Sequence, residues 1–165
     1  MIYYRQKIDS FTETFEKCSV IVLLGENYSL LQKDAKTISD LLAGKKADEE
    51  MRVNKYFNQE INEKRNAIIT SLKTKSFFPG RQIILLNELN EKDCKIITEI
   101  DGAWKKNDAI TIVTMSALSK KSDVIKLLAS NARIALVNYT NSEIDRDFFV
   151  RRLTDAGINL SLIHI

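Results

Sequence analysis

The sequence predicts an α/β protein built on a five-stranded parallel sheet with helices on both faces. Short apolar runs rich in β-branched residues alternate with longer segments whose apolar residues recur at helical spacing. The runs 18–24 and 109–115 are almost entirely apolar, as is typical of strands covered on both faces. Because the connections are also short, this alternation favours right-handed crossovers between parallel strands.

The first strand and its helix are predicted most directly. Phe11 and Phe15 are spaced for a short leading helix, and the run 18–24 is the first strand. Ser29 and Gln32 match a capping box, which predicts a helix start. The apolar residues of that helix are Leu30, Leu31, Ala35, Ile38, Leu41 and Leu42.

The second strand is predicted to be less buried. Met51 and Val53 alternate with polar residues and Phe57 is in phase with them, which indicates a strand with one apolar face. Asn58 is the predicted cap of a helix that continues to Leu72. The remaining elements follow in order: strand 82–86, a helix from Asn90 to Trp104, strand 109–115, helix 124–128, strand 132–137, and a last helix 144–156.

Composition narrows the class of protein. A chain of 165 residues with 44% hydrophobic and 28% charged residues is sized for one globular domain. Its net charge of +3 comes without a cluster of basic residues, which argues against a nucleic-acid surface. No apolar run approaches the roughly 20 residues of a membrane span, and the N-terminus lacks the apolar stretch of a signal peptide. We therefore expect a cytoplasmic protein without a membrane partner.

Metal and thiol chemistry are not expected. Cys18, Cys94 and the lone His164 are too few for a four-ligand zinc site, so we predict no metal. Two buried thiols in a reducing compartment are the simpler interpretation.

The first strand ends in a turn where nucleotide-binding proteins carry a phosphate loop. Gly25, Glu26 and Asn27 form this turn with one glycine, no lysine and a carboxylate that repels phosphate. The third strand ends in Asn87 and Glu88, where an ATPase has an aspartate to hold magnesium. We therefore expect neither ATP hydrolysis nor a cofactor.

An unusual corner lies between the predicted helix that ends at Leu72 and the third predicted strand, 82–86. Phe77 and Phe78 precede Pro79, the only proline in the chain, which excludes helical backbone at Phe78. The two rings either close the core beneath the corner or are displayed to a partner.

Four short stretches in a matching βα order resemble the delta subunit of the bacterial DNA polymerase III clamp loader, specifically its N-terminal region. They are 20–31, 76–82, 118–122 and 144–160. One departure is Ser119, which stands where the family usually has an aspartate, so that residue is given no role. The second is that the sequence ends early in the lid, without the collar domain through which the family joins its ring.

The resemblance implies a degenerate P-loop NTPase fold of the AAA+/RecA type without a working nucleotide site. It implies a clamp-binding domain over 1–140 and the start of a truncated helical lid over 141–165. It further implies that Phe77 and Phe78, with Pro79 and Arg81, bind the beta sliding clamp and help to open it. Of the two rings, Phe78 is preferred because Pro79 fixes the backbone beside it. Arg81 is either a rim contact or an ordinary surface charge.

The partners implied by the resemblance are the beta sliding clamp, the gamma/tau and delta-prime subunits, and DNA only indirectly. Polymerisation and ATP hydrolysis would belong to other subunits, so the chain is not expected to be an enzyme by itself. Two alternatives remain: a flavodoxin-like or receiver-like interaction domain unrelated to replication, with both rings buried, and an α/β enzyme that binds ATP at Gly25 to Ser29.

Overall fold

A computed structural model describes residues 2–4, 12–118 and 122–139 of the chain. Its strands are β1 (Ile2–Tyr4), β2 (Val20–Leu24), β3 (Val53–Phe57), β4 (Ile83–Leu89), β5 (Ile110–Met115) and β6 (Ile134–Asn138). Its helices are α1 (Thr12–Phe15), α2 (Tyr28–Ala43), α3 (Asn58–Ile61), α4 (Arg65–Ser71), α5 (Lys95–Ala103) and α6 (Asp123–Ala129).

The strands form one parallel sheet in the order β1-β6-β2-β5-β4-β3. The five predicted strands are β2 to β6, which confirms the fold class. The sixth strand, β1, pairs with β6 at one edge, where Ile2 lies opposite Leu136. It was not predicted because its three residues have no apolar run around them.

Helices cover both faces of the sheet, as predicted, and each face has its own core. Ile21 and Leu23 of β2 share one cluster with residues of α1 and α2, whereas Val22 and Leu24 belong to the other. The second cluster contains apolar residues of α3 to α6: Ile61, Ile68, Ile96, Ile97, Ile100 and Leu128. The alternation along β2 explains why that strand is apolar at every position.

Three helix starts differ from their predictions. The α5 helix begins at Lys95 and not at the predicted Asn90, after a 3-10 turn over Glu91–Asp93. The α2 helix is capped by Asn27, whose Oδ1 accepts a hydrogen bond from the Leu30 N–H at 3.1 Å, so the predicted cap at Ser29 was wrong by two residues. Asn58 is the first residue of α3 and not its cap, and its Oδ1 accepts a 2.6 Å bond from Nδ2 of Asn90.

Three other elements are bounded differently from the predictions. The predicted helix 58–72 is divided into α3 and α4 by the polar residues 62–64. These residues include no proline or glycine that would predict the break. Strand β4 continues past Leu86 to Leu89 through an irregularity at which Glu88 has φ 57°. Met51 lies outside β3, in a turn with φ 54°.

A polar network joins α5 to the start of β2. The buried Asp101 accepts hydrogen bonds from Ser19 Oγ at 2.6 Å, Asn131 Nδ2 at 2.6 Å and Arg133 at 3.0 Å. Burial raises the pKa of the Asp101 carboxyl, but these three donors together outweigh burial and hold its pKa below the ordinary value. Asp101 is therefore a charged structural link at the edge of the sheet where the strands begin.

Several predicted features lie outside the described residues. They are Phe11, Ser119, the last helix 144–156, His164 and the proposed lid segment 141–165. Among the residues that are described, no helix is long and apolar enough to cross a membrane. The same part of the chain contains no cluster of acidic, histidine or cysteine side chains able to hold a metal ion.

Candidate functional site

The phenylalanine corner lies at the edge of the sheet where the parallel strands begin, between α4 and β4. Phe77 is 98% exposed and Phe78 is 47% exposed, so neither ring closes the core. The two rings contact each other edge to face, with centroids 5.9 Å apart and planes at 84°. Large aromatic side chains are seldom exposed together, which makes the corner a candidate site for binding a partner.

The corner is fastened to the loop that precedes β3. Ser76 Oγ donates a 3.1 Å hydrogen bond to the carbonyl of Glu50 and accepts one from the Phe78 N–H at 3.2 Å. Beyond Pro79, Gly80 has φ 129°, a conformation that other residues rarely adopt. The backbone that carries the rings is therefore held in place on both sides.

Arg52 supports the corner from below and was not predicted. Its guanidinium is 6% exposed and donates to the carbonyls of Ala43 at 2.7 Å and Arg81 at 2.9 Å. It also pairs with the carboxylate of Glu50 at 2.6 Å. A Cβ atom on Gly80 would lie 2.7 Å from this guanidinium, so a larger residue at this position would require Arg52 to move.

Arg81, the fourth predicted site residue, is engaged with the backbone of its own chain. Its guanidinium donates to the carbonyl of Asp108 at 3.1 Å and to that of Glu16 at 3.5 Å. Arg81 is partly exposed at the border of the corner.

A cleft of about 280 Å³ lies behind Phe78, between the end of α4 and the loop that precedes β5. Lys73 and Asp108 both line this cleft, and Lys73 Nζ forms an ion pair with the Asp108 carboxylate at 3.0 Å. The Ala109 N–H donates to the Leu72 carbonyl at 3.0 Å, and this bond joins the end of α4 to the start of β5. These contacts make the base of the corner part of the folded framework.

The turn of Gly25, Glu26 and Asn27 lies at the opposite edge, where the strands end. Only these three residues separate β2 from α2, whereas a phosphate-binding loop uses a motif of about eight. A Cβ atom on Gly25 would lie 2.8 Å from the Cβ of Tyr139, so the turn is packed closely against the residue that follows β6. The Asn27 side chain is occupied in capping α2.

Two residues at the end of β4 are hydrogen-bonded to neighbouring elements, Asn87 to α2 and Glu88 to β5. Asn87 is 2% exposed, and its Oδ1 accepts a 2.8 Å hydrogen bond from Gln32 Nε2. The Glu88 N–H donates to Thr114 Oγ1 at 3.0 Å. Glu26, Glu88 and Thr114 line a cleft of about 260 Å³ at this edge.

The two thiols are buried, as predicted. Burial raises the pKa of Cys18 and of Cys94 to about 11 in each case. At neutral pH both are protonated, a form that is neither nucleophilic nor a good metal ligand.

Fold and site together define a parallel α/β domain with an exposed aromatic corner where the strands of its sheet begin. Residues 21–138 match the family model described as DNA polymerase III, delta subunit, and the chain belongs to that family. The sequence comparison with curated proteins finds no match.

A solved structure with the same fold is the DNA clamp loader delta protein (YqeN) of Bacillus subtilis. The two share 13% sequence identity with a TM-score of 0.61, over 91% of this chain and 47% of that one. The chain therefore spans about half the length of the clamp loader protein it matches.

Proposed function

We propose that the chain is the N-terminal region of a clamp-loader subunit that binds the beta sliding clamp and helps to open it during DNA replication. Phe77 and Phe78 insert into an apolar pocket of the clamp, with Pro79 fixing the backbone and Arg81 at the border. Residues 1–140 form the clamp-binding domain, and residues 141–165 begin a helical lid. Family membership supports the class of protein, and the exposed aromatic corner supports the site.

The single observation that carries the proposal is the exposure of Phe77 at 98% on a backbone held by Ser76 and Arg52. Because the backbone that carries the rings is already held in place, the corner loses less conformational entropy on binding than a mobile loop would. An aromatic anchor of this kind contributes about 2–4 kcal/mol to binding when its pocket is well packed.

Clamp opening follows from unequal binding. A closed ring and an open ring are two states of the clamp, and a bound subunit shifts their populations only by binding the open state more tightly. The short, hydrogen-bonded connections of the corner suit this role. A rigid domain does not deform to fit the closed ring, so the difference in its binding to the two states of the clamp is preserved. The proposal requires no chemical step on this chain.

The energy for the cycle comes from ATP bound by other subunits of the clamp loader. The partner subunits in this proposal are gamma/tau and delta-prime. The turn of Gly25, Glu26 and Asn27 does not bind nucleotide in this proposal, and no cofactor is needed. The chain is not an enzyme by itself, and polymerisation belongs to other subunits of the holoenzyme. It contacts DNA only indirectly and acts in the cytoplasm, where the bacterial chromosome is copied.

The test is a titration of the 165-residue chain against the beta sliding clamp of the same organism. The Phe77→Ala/Phe78→Ala double variant is expected to lose detectable binding, and Phe78→Ala alone to weaken it by about ten-fold or more. Because the rings are outside the core, both variants are expected to melt within a few degrees of the wild type.

Leu127→Ala is the matched control, because Leu127 is also an exposed apolar residue, at 58%, but lies on α6 away from the corner. It is expected to bind as the wild type does. A well-folded wild type that does not bind the clamp would contradict the function. Wild-type affinity in a folded double variant would contradict the site.

A further inference from the structure

A second exposed apolar side chain lies beside the corner. Met51 is 82% exposed, and among the described residues only Phe77 exceeds it in the group of exposed large hydrophobic side chains. Two such residues in neighbouring loops form a larger apolar surface than either gives alone.

The sheet register places the two loops side by side. Val53 of β3 is paired with Ile83 of β4, so the segments that enter these strands emerge next to each other at the same edge. The bond of 3.1 Å from Ser76 Oγ to the Glu50 carbonyl joins them directly. Met51 follows Glu50 and Phe77 follows Ser76, so each exposed side chain belongs to the residue next to this hydrogen bond.

The backbone at Met51 is fixed in a conformation that methionine seldom adopts. Its φ is 54°, in the left-handed region. The Met51 N–H donates to the Asp48 carbonyl at 3.1 Å, and the Arg52 N–H donates to the Ala47 carbonyl at 2.8 Å. Glycine or asparagine would fit this turn with less strain, so folding alone does not explain an exposed methionine there.

We propose that Met51 is a third apolar contact of the clamp-binding surface, beside Phe77 and Phe78. This inference rests on the proposed function, and the occupant to which it commits is the same beta sliding clamp. The methionine side chain is apolar and flexible, which suits it to the border of a pocket whose centre takes the aromatic rings. Arg52 holds both loops in one unit, because it binds the carbonyl of Arg81 and the carboxylate of Glu50.

The test uses Met51→Asn and Met51→Gly, two substitutions that favour the native backbone at this position. Each is expected to lower the affinity of the 165-residue chain for the clamp by about three- to ten-fold. Neither is expected to lower the melting temperature by more than about two degrees, because both relieve the left-handed strain. Weaker binding without lower stability is the signature of a contact residue.

Leu127→Ala again serves as the control, since α6 packs on β6, which β2 and β5 separate from β4. If the Met51 variants bind as tightly as the wild type while Phe77→Ala/Phe78→Ala does not bind, the inference is overturned and the proposed function stands. Equal losses in the Met51 and Leu127 variants would also overturn it. If the phenylalanine variant binds normally too, the proposed site fails together with the inference.

Discussion

The exposed ring of Phe77 is unfavourable for the stability of the chain alone, and this makes it a candidate contact for a partner. Burying a phenylalanine side chain stabilises a protein by about 1.5–3 kcal/mol, and this chain forgoes nearly all of that at a ring that is 98% exposed. The local sequence favoured rings that close the core, and only the resemblance to the delta family favoured their display to a partner. Pro79 located the corner, but only the coordinates show which way the rings are displayed.

Arg52 could not be predicted from the sequence. It lies in a polar segment and reads as one more surface charge, yet it is 6% exposed and binds three neighbouring segments. A buried guanidinium is recognised by its acceptors, here the carbonyls of Ala43 and Arg81 and the carboxylate of the nearby Glu50. The Arg81 carbonyl, 29 residues away in the sequence, becomes a neighbour only in the folded protein.

Gly80→Ala tests whether this guanidinium shapes the corner. The new Cβ would lie 2.7 Å from Arg52 Nη1, and φ 129° is strained for alanine, so we expect a loss of about 1–3 kcal/mol in the free energy of unfolding. Chemical denaturation measures this loss, and clamp affinity is expected to fall as well. Gly102→Ala is the control, because a Cβ there meets no atom within 4 Å. Equal stability of the two variants would contradict the role given to Arg52.

At the scale of elements, strands were predicted better than helices. The buried strands β2, β5 and β6 are continuous apolar runs, which depend on local composition alone. The break between α3 and α4 has no local signal, since Asn62, Glu63 and Lys64 are all compatible with a helix. The burial of Ile61 and Ile68 in the same core does not explain the break, because residues seven apart share one face of an unbroken helix as well.

Asp101→Asn tests the link between α5 and β2. The variant keeps the size of the side chain but removes the charge that faces Arg133, so we expect a loss of about 1–3 kcal/mol in the free energy of unfolding near pH 7. Asp48→Asn is the control, because its ion pair with Lys55 is exposed and worth little.

The difference in stability between the wild type and Asp101→Asn is also predicted to depend on pH. Because the folded pKa of Asp101 is lowered, its contribution is present above the unfolded pKa of about 3.9 and is lost as the pH falls through the folded pKa. We expect the stability difference between wild type and Asp101→Asn to shrink below about pH 4. A difference that grows on acidification would contradict the assigned direction of the pKa shift.

At the scale of the whole molecule, the edge where the strands begin and the edge where they end carry different side chains. The edge where the strands end is the usual ligand-binding edge of parallel sheets, and here it carries a three-residue turn and an Asn87 bound to Gln32. The edge where the strands begin carries Met51, Phe77 and Phe78. The turns where the strands end could be located from the sequence alone. That Met51 and the phenylalanine corner lie in neighbouring loops where the strands begin follows only from the register of β3 and β4.

ATP is therefore not expected to bind. The melting temperature of the chain in millimolar ATP and magnesium is predicted to stay within about one degree of its value without them, since a ligand stabilises only a folded protein that binds it. The measurement is a thermal melt with and without nucleotide, and ADP serves as a second probe. A concentration-dependent rise of several degrees would contradict the assignment of a degenerate nucleotide site.

The central claim is that the clamp binds the edge where the strands begin. Hydrogen exchange of the chain, measured alone and with a saturating amount of the beta sliding clamp, tests it most directly. We predict that the clamp slows exchange at the amides of 50–52, 76–78 and 80–82 and leaves those of 25–28 unchanged. Slowed exchange confined to 25–28 and the end of β4, with the corner unaffected, would contradict the account.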